Sequence, residues 1–201
     1  MKQALLPVLI GAFILVGCLQ TYCTQRELEQ YNSTLLSAVK ADVGGFTGKR
    51  KTVVGNLLQD TNLQGLSIPK DNRIPNIVLL HQLNIAINGT LIGQNKSIFE
   101  NAVAKTNSFP AIYAQFPNGI PQGLFTEGGQ QGTHHLSTPY VVVSGTVEVA
   151  QWCKCKATGD VLSLQCENDP GCVVEMRIPL LVVDRIERAV CSSTDVQVPT
   201  D

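Results

Sequence analysis

Charge is scarce in this 201-residue chain: Asp, Glu, Lys and Arg together make 15% of it, well below the ~25% usual for globular proteins. The formal net charge is −1 and becomes −2 if Lys2 is lost with a leader (−1 − 1). A near-neutral chain lays down no electrostatic footprint for nucleic acid or an anionic membrane surface. The one basic cluster, Lys49-Arg50-Lys51, is too short to create one. Runs of acid, expected of a mineral-binding matrix protein, are missing as well. So are the signatures of catalysis. There is no Gly-x-Ser-x-Gly elbow, no His-Glu-x-x-His, no phosphate-cradling glycine loop and no calcium-ligand ladder. Ser144, in Val142-Val143-Ser144-Gly145-Thr146, lacks the first glycine of an elbow and reads as an ordinary strand serine. Glu175, Asp184 and Glu187 are carboxylates near a strand end, read as solvating groups. The residues therefore give no catalytic site, and the chain is not read as an enzyme.

Metal ligands are equally thin. Histidine occurs three times. His134 and His135 are adjacent, which on a strand sends them to opposite faces, and His81 stands alone. Cys153-Lys154-Cys155 has a one-residue spacing where zinc sites prefer two to four.

The only extended apolar run is Leu5 to Val16, interrupted by Pro7 and Gly11 and shorter than the ~20 residues that span a bilayer. Behind the basic start Met1-Lys2 it reads as a secretory signal peptide. Thr21 and Cys23 offer small residues at a cleavage point, which gives a leader over 1–23 and a single secreted domain over 24–201. The chain has seven cysteines, and none lies between Cys23 and Cys153. Cleavage after Cys23 leaves Cys153, Cys155, Cys166, Cys172 and Cys191 as disulfide candidates, one of them unpaired or joined to another chain; cleavage after Cys18 leaves six. Clustered cysteines in an exported chain predict a local disulfide framework within the C-terminal sheet. Leu15-Val16-Gly17-Cys18 also resembles a bacterial lipobox. Against it stand the cysteine-rich C-terminus and N-glycosylation sequons at Asn32, Asn88 and Asn95, which favour a eukaryotic export route.

Along the mature chain one helix is predicted from about 25 to 39. Leu28, Tyr31, Leu35 and Val39 form an apolar stripe, and Thr24 with Glu27 makes a capping box. Beyond Gly44-Gly45 the period becomes two. Leu83, Ile85 and Ile87 precede the hairpin turn Asn88-Gly89, and Ile112, Ala114 and Phe116 alternate with Tyr113 and Gln115. Residues 143–152 are rich in β-branched side chains, with Gly145 at a bulge. Turns at Gly159-Asp160 and 168–171 fold strands 161–166 and 173–183 back onto it. Residues 109–135 read as a long surface loop or a set of short connections. The expected architecture is mainly β: an antiparallel sandwich or barrel with one N-terminal helix and a disulfide-bonded C-terminal sheet.

Gly48-Lys49-Arg50 has the form of a peptide-precursor cleavage signal, and is read instead as an exposed basic loop. The aliphatic strands could line an apolar cavity, an ordinary core or a subunit interface. The leader Met1–Cys23, the mature start Thr24-Gln25-Arg26-Glu27-Leu28, the three sequons, the few basic residues and the strand-rich body together resemble the perivitelline egg carotenoproteins of molluscs, the ovorubin type. That resemblance implies an oligomer of homologous glycoprotein subunits that stores nutrients in the egg, carries carotenoid or another apolar ligand, and inhibits proteases. The alternatives are an extracellular matrix protein of shell or egg coat, or a secreted defence protein such as a protease inhibitor, lectin or toxin.

Overall fold

The computed structural model describes residues 23–59, 68–82, 85–87, 90–91, 111–128 and 135–191. The leader, Cys18, Asn88, Asn95 and His134 lie outside these residues.

Where one helix is predicted over 25–39 the chain forms two, α1 (Gln25–Gln30) and α2 (Leu36–Ala41), and a third, α3 (Val43–Phe46), follows beyond that span. The capping box forms, with Glu27 Oε2 accepting from the Thr24 N–H at 2.7 Å and Thr24 Oγ1 accepting from the Glu27 N–H at 3.4 Å. The helical path then breaks. Asn32 takes a left-handed φ of 50°, a conformation asparagine tolerates better than most residues, and the Ser33 hydroxyl and N–H both donate to the Leu28 carbonyl. The break has a packing reason. Leu28, Tyr31 and Leu35 join one apolar cluster with Cys23, Val54, Tyr140 and Val142, whereas Leu36 and Val39 enter another. One straight helix cannot serve both.

The strands are β1 (Cys23–Thr24), β2 (Arg50–Gln59), β3 (Asp71–Asn72), β4 (Ile77–His81), β5 (Ile85–Ile87), β6 (Thr90–Leu91), β7 (Ala111–Gln115), β8 (Thr126–Gly128), β9 (His135–Ser137), β10 (Val141–Cys155), β11 (Gly159–Ser163) and β12 (Cys172–Arg188). β5 and β6 pair antiparallel across 88–89, as the Asn-Gly signal predicts, and β1 joins them. The region 109–135 holds β7, β8 and a 3-10 turn (Gln122–Leu124) besides connections. Cys166 opens a second 3-10 turn instead of ending a strand.

The large sheet runs β3-β11-β10-β12-β7-β4-β2-β9-β8. Its decisive feature is a second pairing. The first part of β10 is hydrogen-bonded to β12 on one edge and to β2 on the other, Val141 facing Arg188 and Gly55, and Thr146 facing Val182 and Arg50. The circuit β2-β4-β7-β12-β10 therefore returns to β2. All its pairs are antiparallel except β7–β12. Every strand of the circuit contributes to one buried cluster: Val53 and Leu57, Val78 and Leu80, Ile112 and Ala114, Leu181 and Val183, Val141, Val143 and Val147, closed by Leu36 and Val39 of α2. Residues of opposite parity, such as Leu79, Tyr113, Leu162 and Leu180, form a second cluster on the other face. β4 is thus buried on both sides, which is why it reads Ile-Val-Leu-Leu-His without alternation.

Buried Gln82 fastens helix to sheet. Its Oε1 accepts from the Leu36 N–H and its Nε2 donates to the Val54 carbonyl, each at 2.8 Å. It satisfies the start of α2, whose flanking Leu35 has no side chain to do so.

Between Ser144 and Gly145 the β10–β12 register jumps from Arg185 to Val183, leaving Asp184 as a bulge residue. Gly145 opposite it is constrained, because a Cβ there would collide with the Val182 carbonyl. The variant Gly145→Ala is expected to lose about 1–3 kcal/mol of stability, the usual range for overpacking. Gly123→Ala, where an added Cβ meets nothing within 4 Å, should stay within about 0.5 kcal/mol of the parent. Denaturant unfolding of both variants checks this.

Candidate functional site

The disulfides are Cys23–Cys191, Cys153–Cys166 and Cys155–Cys172. Two lie within the C-terminal hairpin, as its cysteine density predicts. The other corrects two expectations. Cys191 leaves the hairpin to meet Cys23, so bridging is not confined to the C-terminal sheet, and Cys23, absent from the expected disulfide set, is fully buried and paired. The pairing follows from packing: Cys191 lies against the same cluster, around Val54, Tyr140 and Val142, that buries Cys23 and Leu28.

His81 is buried on β4, and His135 begins β9. Ligand atoms of Cys155, Asp169 and Cys172 lie within 4.8 Å of one another, but both sulfurs are consumed in a disulfide, which leaves no thiolate to bind an ion. Gly48-Lys49-Arg50 is exposed and leads into β2. The Gly48 N–H donates to the Val147 carbonyl, Val147 N–H donates to the Lys49 carbonyl, and Arg50 begins β2.

What the pairing brings together is a polar row across three strands. Ser144 on β10 faces Thr52 on β2 and Arg185 on β12. The Ser144 and Thr52 hydroxyl oxygens lie 2.8 Å apart. The bulge at Asp184 makes this row, since Val183 points into the core cluster and without an extra residue Arg185 would follow the wrong parity. Arg50 reaches Asp184 with two hydrogen bonds, Nη2 to Oδ1 at 2.6 Å and Nε to Oδ2 at 3.0 Å. That guanidinium holds the Asp184 carboxyl below its ordinary range. Arg185 donates to Glu187 Oε2 at 2.8 Å. Arg50, Thr52, Ser144, Arg185 and Glu187, with Tyr31 and Val142, line a hollow of about 140 Å³. A neighbouring hollow of about 150 Å³, lined by Phe116, Pro121, Val183 and Ile186, shares Arg185. Asp184 and Glu187 thus lie beside cations, while Glu175 is an exposed residue in the first half of β12. The arrangement has no nucleophile beside a base, and no two carboxylates bracket an open position. It is suited to holding a polar group.

No family model, curated protein or solved structure matches this chain.

Burial brings the His81 pKa from 6.5 down to about 4. Between those values the unfolded chain takes up a proton that the folded protein excludes, so stability falls as pH is lowered through this window. The full loss is about 3 kcal/mol. Unfolding measured from pH 7 to pH 4 is expected to show that decline, and His81→Gln should flatten it. An unchanged slope would mean that His81 is protonated in the native state.

Proposed function

We propose that this protein is a secreted, non-catalytic glycoprotein built on a small closed β-barrel, serving as a storage or carrier subunit in an egg or comparable extracellular setting. The disulfide Cys23–Cys191 carries this reading. It joins positions 168 residues apart, and a cross-link of that span belongs in an oxidising compartment, where chain closure contributes several kcal/mol to stability. Among the described residues no helix is long and apolar enough to cross a membrane. Within this reading the leader is cut before Cys23, and glycans sit on Asn32, Asn88 and Asn95. Asn32 is exposed at the α1–α2 break, open to modification.

The closed strand circuit and the single cluster fed by all five strands favour a barrel over a sandwich. Numbered among themselves, the five strands run 1-2-3-5-4 around the circuit, the Greek-key connectivity of the OB type. A fold of that kind fixes no function. The two hollows, of about 140 and 150 Å³, are too small to enclose a long polyene, so in this reading a carotenoid is held between subunits of an oligomer.

Purification from the native source, followed by non-reducing peptide mapping, intact mass and absorbance, tests the reading. The expected product is a glycosylated oligomer with the three mapped disulfides, an N-terminus at or before Cys23, and visible absorption from bound pigment. Recovery of a colourless, sugar-free monomer with reduced thiols would overturn it.

A further inference from the structure

The polar hollow at the Thr52–Ser144–Arg185 row has a composition that a core or a solvated face does not need. Ser144 is only 6% exposed on a row where an aliphatic side chain would pack. Each arginine is paired with a carboxylate, Arg50 with Asp184 and Arg185 with Glu187. Charges in the array cancel, two guanidinium groups against two carboxylates, so a charged ligand gains no net attraction. What remains are guanidinium donors, a carboxylate acceptor in Glu187, and the hydroxyls of Thr52, Ser144 and Tyr31, which can do either. The Tyr31 oxygen already accepts from the Val190 N–H at 3.0 Å, which leaves its own O–H to donate. Tyr31 and Val142 add a small apolar part to the lining. A ligand that presents donors and acceptors around its rim and C–H groups on its face is a neutral sugar ring.

We propose that this hollow is a saccharide site that holds one pyranose residue, with Thr52, Arg185 and Glu187 bonding its hydroxyls and Tyr31 against its face. Two sources present this chemistry. One is a free or partner-borne saccharide. The other is the N-acetylglucosamine attached at Asn32, the residue next to Tyr31; only this source rests on the glycoprotein reading above.

Amide and side-chain NMR on the full mature chain tests the site, using two forms: the glycosylated protein and Asn32→Gln. N-acetylglucosamine and mannose are the probes, added up to their solubility limits. In Asn32→Gln, one of them is expected to shift Thr52, Ser144 and Arg185 with millimolar affinity, and Arg185→Ala should weaken it about tenfold, as loss of a charge-assisted hydrogen bond does. Thr52→Val, nearly isosteric, should weaken it too. Equal binding to both forms would assign the site to external saccharide. Binding to Asn32→Gln alone, with contacts from the attached sugar to Tyr31 in the glycosylated form, would assign it to the protein's own glycan. Absence of shifts in both forms together with absence of glycan contacts overturns the site, as do shifts confined to other residues. A chain that lacks sugar at Asn32 yet binds the probe loses only the glycan source. A glycosylated chain with a silent hollow keeps its glycoprotein reading and loses the site.

Discussion

The architecture depends on β10 being hydrogen-bonded along both edges between Val141 and Thr146. Without the β2 contact the sheet would be open, and Val53, Val78, Ile112, Val143 and Leu181 would face no common centre. With it, those side chains meet, and α2 closes the cluster through Leu36 and Val39. The same constraint makes the outer surface. Once odd positions of β10 turn inward, Val142 and Ser144 must turn out, where Val142 is covered from α1 and Ser144 is left in a polar row. A sheet that has to close also needs a local change of twist, and the Asp184 bulge opposite Gly145 supplies it. Core, helix placement and hollow are consequences of one closure.

The disulfides complement this body where it is thinnest. Beyond the circuit, β10, β11 and β12 continue as a hairpin whose own buried cluster is Cys153, Cys155, Val161 and Cys166, with Cys172 and Val174 against it. Apolar burial there is small, and two of the three cross-links replace it. The third ties α1 and the end of the described chain to the outer face of β2 and β10. It contributes most through the unfolded chain, whose freedom a long loop restricts strongly.

Much of this was legible in the residues, and the failures share a cause. The period-two stretches, the Gly145 bulge and the Thr24–Glu27 capping box are local signals, and each has its counterpart among the described residues. The helix break at Tyr31–Leu35 was hidden because the stripe Leu28, Tyr31, Leu35, Val39 is continuous in sequence, and only the two separate clusters it enters show that it must divide. The pairing of Cys23 with Cys191 leaves no local signal, because the two lie 168 residues apart. The polar hollow draws on Tyr31, Arg50, Thr52, Ser144 and Arg185, and no spacing rule joins them; only cross-strand register does. Ser144 beside Gly145 was the one visible clue, since a small polar residue next to a bulge glycine interrupts an otherwise aliphatic strand. Gln82 gave no signal at all, being one amide whose two partners are backbone groups on distant elements.

Amide hydrogen exchange along β10 tests the closure most directly. A strand paired on both sides has all its N–H groups engaged, whereas an edge strand leaves every second one open to water. Consecutive amides from Val142 to Thr146 are expected to exchange together, at rates set by global unfolding. Alternating protection, with every other amide of that stretch exchanging quickly, would show that β2 and β10 do not meet and that the circuit is open.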